Sequence, residues 1–107
     1  MDNSEIRKAF QALRACAEIP QNIVGSIVRI YHNEGAADIA VTSCAYSTEF
    51  DTLTLGLAKA VITCRLNLTR YCQHAAPTLR YSRKGDWLLE VVDDDNTGAI
   101  PVDVEFS

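Results

Sequence analysis

Apolar positions recur along the chain in two rhythms. Ile6, Ala9, Phe10, Leu13, Cys16 and Ala17 keep a helical spacing, while Arg7, Lys8, Gln11, Arg14 and Glu18 lie off that stripe. The spacing predicts a helix over 3–18, opened by a capping pair of Asp2 and Glu5 and ended before Pro20. "NIVGSIVRIYH" is rich in β-branched residues and predicts a central strand from about 22 to 32, with "NEGAAD" as a loop and "IAVTSCAY" (39–46) as the partner strand. Ser47, Thr48 and Asp51 offer N-caps for a long second helix over roughly 49–75, and Pro77 follows it.

The last third predicts a strand meander. "TLRYSR" and "WLLEVV" flank Lys84-Gly85-Asp86, and a three-residue loop there sets Leu79 against Val91, Tyr81 against Leu89, Arg83 against Trp87 and Arg80 against Glu90. "DDDNTG" is the next turn. In "AIPVDVEF", Ile100, Val102, Val104 and Phe106 point inward and Asp103 and Glu105 outward. Pro101, lacking a donor, implies an edge or a nitrogen aimed away from its partner. The expected fold is one α+β domain over 1–107, two helices with a five-stranded antiparallel sheet in the order α-β-β-α-β-β-β.

The second helix carries a difficulty. At about 100° per residue, Leu53, Leu57, Ala60, Val61, Cys64, Leu68, Tyr71 and Ala75 share the side that would lie on the sheet. Leu55, Ile62 and Leu66 fall nearly opposite, flanked by Lys59, Arg65 and Arg70. An outer helix should be polar there. The stripe is scattered exposure, a seat for the first helix, or an interface with a second copy or another protein. A homodimer through Leu55, Ile62, Leu66, Lys59, Arg65 and Arg70 is the expected arrangement.

The chain has 107 residues and a net charge of −4, which argues against general nucleic-acid or anionic-membrane binding. No apolar run is long enough to span a membrane, and the polar start "MDNSEIRKAF" has no secretory signature, so a cytoplasmic location is expected. Cys16, Cys44, Cys64 and Cys72 are then expected as free thiols in apolar positions. Charge is unevenly spread. Residues 60–85 hold Arg65, Arg70, Arg80, Arg83 and Lys84 without an acid, and residues 86–107 hold Asp86, Glu90, Asp93, Asp94, Asp95, Asp103 and Glu105 without a base. Asp93, Asp94, Asp95, Asp103 and Glu105 form a candidate acidic surface, for a basic partner or as an imitation of nucleic-acid phosphates. Solvation with cross-strand pairing is the plainer alternative.

Candidate chemistry is thin. Cys64 and Cys72-Gln73-His74 lack the paired spacing of a zinc site, the aspartates do not alternate as in a calcium loop, and no phosphate loop or nucleophile motif occurs. No catalytic residue, metal or cofactor is assigned. The element order, with "IPQNIVGSIVRI" after the first helix, resembles roadblock-type domains of the profilin-like class. That resemblance implies a homodimer built partly through the second helix and a scaffold role for small GTPases. "HNEGAAD" and Pro101 depart from the pattern, so no residue is carried over. The expected function is a non-enzymatic interaction module, a small homodimeric adaptor, regulator or inhibitor such as phages and mobile elements encode. The alternative is a small-molecule binder or enzyme with a pocket between sheet and helix, using Tyr31, Tyr46, Arg80 or His32.

Overall fold

A computed structural model describes residues 3–32, 35–59, 63–64, 76–82, 84–92 and 97–106. Helix α1 spans Asn3–Cys16, and the strands are β1 (Ile27–His32), β2 (Gly35–Ser47), β3 (Thr52–Leu57), β4 (Thr63–Cys64), β5 (Thr78–Ser82), β6 (Trp87–Val92) and β7 (Thr97–Phe106). Every long strand pairs antiparallel with its neighbours in chain order, and β1 also pairs with β7. The sheet therefore closes into a six-stranded barrel of β1, β2, β3, β5, β6 and β7, with β4 added along β2. This corrects the expected two-helix α+β fold with an open five-stranded sheet, and it removes the element order on which the roadblock resemblance rested.

The correction centres on residues 49–75. Where a helix is expected, the described residues form a turn, β3 and β4. "TLTLGL" alternates with period two, so as an extended strand it places Leu53, Leu55 and Leu57 on one face. All three are buried at 0–1% exposure. A second apolar stripe is needed only if the backbone is helical. In a strand Leu55 joins its neighbours inside, and each leucine contributes about 1.5–3 kcal/mol of burial. The supposed cap residues close the β2–β3 hairpin instead. The Phe50 amide donates to Ser47 Oγ at 3.3 Å, Asp51 takes φ +50°, and the Tyr46 hydroxyl donates to Asp51 at 2.6 Å. Side chains that satisfy a helix start satisfy a turn equally well.

β2 starts earlier than expected, so Ala36, Ala37 and Asp38 of "NEGAAD" are paired with β1, and β1 itself starts at Ile27. The 13-residue β2 serves β1 along its first half and β3 along its second, with β4 on its other edge at Ala37 and Asp38 and a bulge between Val41 and Ser43. Gly56 lies opposite this bulge, where a Cβ would fall 2.3 Å from Ser43 Oγ. The β5–β6 register is offset by two residues from the expected one: Leu79 faces Leu89, Tyr81 faces Trp87 and Arg80 faces Leu88. A shift of two preserves the faces. Gly85, at φ +86°, donates to the Ser82 carbonyl, and Ser82 donates to the Asp86 carbonyl, where β5 turns into β6. β7 alternates as expected, with Val102 buried and Ile100, Val104 and Phe106 packed against the core. Beside Pro101, β7 pairs with β6, whereas its pairing with β1 covers only residues 103–106.

The barrel is narrow enough for side chains to fill it. Val28, Ile30, Ile39, Val41, Leu79 and Leu89 join the three β3 leucines at 0–1% exposure, and Leu13 of α1 belongs to the same cluster. α1 ends two residues before its expected limit in a Schellman arrangement. Ile19 donates to the Arg14 carbonyl, Glu18 donates to that of Ala15, and Glu18 is left-handed at φ +55°. A residue with a Cβ there costs about 1–2 kcal/mol relative to ordinary helical backbone. Buried Ile19 and Leu13 supply the apolar contact that accompanies the motif. Asp2 of the expected capping pair lies outside the described residues.

Candidate functional site

The outer face of the barrel is built from the alternate residues of the same strands. On β1, Arg29 lies directly between Asp38 of β2 and Glu105 of β7. Its guanidinium donates to both Asp38 oxygens, at 2.7 and 2.9 Å. The hydrogen bond from Arg29, reinforced by its charge, holds the Asp38 carboxyl below its ordinary pKa. Tyr31, two residues on, donates its hydroxyl to Glu105 at 2.9 Å. On β5 and β6, Arg80 reaches Glu90 diagonally at 3.0 Å although Leu88 is its direct partner.

Where β1 stops and β7 continues alongside β6, an open groove forms. Tyr31, His32, Asp86, Leu88, Pro101 and Asp103 are among the residues that line it, together with Gly85 and Trp87. Asp86, Pro101 and Asp103 are exposed and Leu88 half-buried. A smaller cleft separates the end of α1 from the barrel and is lined by Glu18, Tyr81, Trp87 and Phe106 among others.

The expected site residues are distributed differently from the sequence pattern. Leu55, the first of the dimer stripe, lies in this chain's own core, and Lys59 is exposed beyond β3. Ile62, Leu66, Arg65 and Arg70 lie outside the described residues, as do Asp93, Asp94 and Asp95. Asp103 and Glu105 are exposed on β7. Of the alternative pocket set, Tyr31 and His32 share the outer groove. Tyr46 sits instead against Phe10 of α1 in an edge-on ring contact at 6.5 Å, and Arg80 pairs with Glu90. Cys16 and Cys44 are free thiols. Cys16 is exposed rather than apolar in setting, and burial raises the Cys44 thiol pKa, partly offset by nearby Arg14. Cys72 and His74 of the rejected zinc pattern lie outside the described residues. Among the described residues no three His, Cys, Asp or Glu side chains are placed to hold a metal ion. No helix among them is long and apolar enough to cross a membrane.

Asp86, Leu88 and Glu18 were not singled out in the sequence. The first two carried a usable signal, since period two along β6 puts Asp86, Leu88 and Glu90 on one face. Glu18 carried none, because its left-handed backbone is invisible to spacing. Comparison of the chain with family models, curated proteins and solved structures gives no match.

Proposed function

We propose that the protein is a non-enzymatic interaction module that binds a basic partner protein through the outer face of β6, β7 and β1. The observation that carries this reading is the open groove, in which exposed Asp86 and Asp103 lie side by side next to Leu88, Pro101 and Tyr31. Apolar and aromatic side chains beside charged ones are the composition of a protein interface. No lysine or arginine occurs from residue 86 to 107, so β6 and β7 carry only acidic charge of their own; the nearby bases Arg80 and Arg29 are engaged by Glu90 and Asp38. Such a field speeds encounter with a basic surface and orients it. The barrel axis is filled by leucine, valine and isoleucine side chains, which favours recognition on the outside.

The test is capture of binding proteins from the native host by the wild-type chain and by Asp86→Lys/Asp103→Lys, at low and high salt. The account predicts a basic protein retained by the wild type at low salt and lost in the charge-reversed variant. A set of captured proteins identical in the two would refute it.

A further inference from the structure

The groove opens along a free strand edge, and the alternation of hydrogen bonds around the barrel fixes which groups that edge presents. The Val41 amide donates to the Ser26 carbonyl at 2.9 Å, and the Ala58 amide donates to the Ala40 carbonyl at 2.8 Å. Odd-numbered residues of β2 up to Val41 therefore turn their backbone groups toward β1, and even-numbered ones turn theirs toward β3 and β4. Val28, Ile30 and His32 of β1 then bond β2, which leaves Arg29 and Tyr31 to bond Glu105 and Asp103 of β7. The same alternation continues down β7. Pro101, Ala99 and Thr97 point their backbone groups past the end of β1, while Val102, Ile100 and Gly98 bond β6. Among the described residues no strand pairs with 97–102 on the side of β1. The N–H that Pro101 lacks is thus one the β6 ladder does not use. The free edge keeps the amides of Thr97 and Ala99 and the carbonyls of Thr97, Ala99 and Pro101.

We infer that this edge takes up an extended segment of the basic partner as an added strand, in line with β1. The inference rests on the proposed function for the partner's charge and adds the way it binds. Residues 97–101 offer about 17 Å of strand, and Gly98, Ala99 and Pro101 are exposed. No lysine guards this edge, although lysine is a usual block on free strand edges. Its two faces set the chemistry of the occupant. On the outer face the added strand would run toward Asp103, with Asp86 beside it, so basic side chains suit that face. On the inner face it would lie beside Ile100, which packs on the core, and beside Gly98, where an added Cβ would meet no described atom within 4 Å. Apolar side chains suit that face. The occupant is a stretch of alternating basic and apolar residues held by main-chain bonds. A second copy of this chain fits less well, since pairing two such edges would set acidic faces of a chain of net charge −4 side by side.

The probe is the peptide acetyl-Lys-Val-Lys-Val-Lys-amide. The same peptide N-methylated at its three central residues is the control, which keeps the charge and loses the donors. Trp87, the only tryptophan, lines the groove and reports binding to the full chain by fluorescence. Amide hydrogen exchange reports on the edge itself. In the free chain Ala99 should exchange about tenfold or more faster than Ile100, and saturating probe should slow Ala99 by a similar factor. The N-methylated control should bind about tenfold or more weakly, as the loss of several hydrogen bonds requires. Ala99→Pro removes an edge donor and no β6 bond, so its urea midpoint should stay near that of the wild type while probe binding weakens. Ala99→Lys keeps the backbone donor and sets a like charge against the probe, and it should weaken binding as well. No saturable response, equal binding of the N-methylated control, or an Ala99 amide as slow as Ile100 in the free chain would overturn the inference. If Asp86→Lys/Asp103→Lys loses its host partner while Ala99→Pro and Ala99→Lys keep it, the added strand falls and the acidic face stands. If the probe slows Ala99 exchange but host capture ignores the charge reversal, the edge stands as a strand-binding site and the proposed function falls.

Discussion

Replacing Leu55 with alanine tests whether 52–57 is a core strand. Leu55 is fully buried, paired with Cys44 on β2 and Leu79 on β5, and flanked on its own face by Leu53 and Leu57. The change removes three carbon groups at about 0.8 kcal/mol each, or about 2.4 kcal/mol of transfer energy. β3 is held by neighbours on both edges, so the site can collapse only in part, and the residual cavity brings the expected loss to about 3–4 kcal/mol. For a chain of this length that lowers the melting temperature by roughly 12–16 °C. Urea unfolding followed by Trp87 fluorescence measures it, with Leu88→Ala on the outer face as a control that should cost well under half as much. A loss below about 1 kcal/mol for Leu55→Ala would refute the placement, because no fully buried leucine in a closed core is that cheap.

Further outcomes follow from single contacts. Asp38, with its pKa lowered in the folded state by Arg29, contributes stability that is present above the ordinary aspartate range and lost as pH falls through the folded value. Asp38→Asn should therefore flatten the acid side of the urea-midpoint profile while leaving its alkaline side unchanged. Gly56→Ala should destabilise by about 1 kcal/mol, chiefly through the approach to Ser43 Oγ, and should cost less in a Ser43→Ala background, where the approach to Thr42 Oγ1 remains; a double-mutant cycle reads this coupling directly. Iodoacetamide at mildly alkaline pH should modify exposed Cys16 well before Cys44, whose thiol burial holds protonated; peptide mass spectrometry gives the order.

What the sequence revealed depended on whether one rhythm dominated a segment. In β7 the alternation from Ile100 to Phe106 has no helical competitor, and its faces are as expected. In α1 the helical stripe and Pro20 mark the element to within two residues. Residues 52–57 satisfy both rhythms: Leu53 and Leu57 are four apart, as on a helix, and also on the same side of a strand. Leu55 decides between them. A buried-looking residue left on the wrong side of a helix is the signature of a period-two segment, and it places Leu55 in this chain's own core; Ile62 and Leu66 of the expected stripe lie outside the described residues. Ser47 and Asp51 added to the confusion because a side chain that caps a helix also closes a hairpin. Barrel closure was not legible at all, since the β1–β7 pairing joins strands separated by most of the chain. The acidic face was visible as a run of charge, but its meeting with Tyr31, Leu88 and Pro101 depends on that closure. Glu18 entered the sequence pattern only as a polar residue off the helix stripe.

The closed barrel is tested most directly by nuclear Overhauser contacts between backbone protons. The account predicts cross-strand contacts joining β1 to β7 in the register of Ile30 with Val104 and Arg29 with Glu105, together with β3 contacts from Leu55 to both Cys44 and Leu79. Helical i to i+3 contacts across residues 52–57, or the absence of any β1–β7 contact in a folded sample, would contradict it.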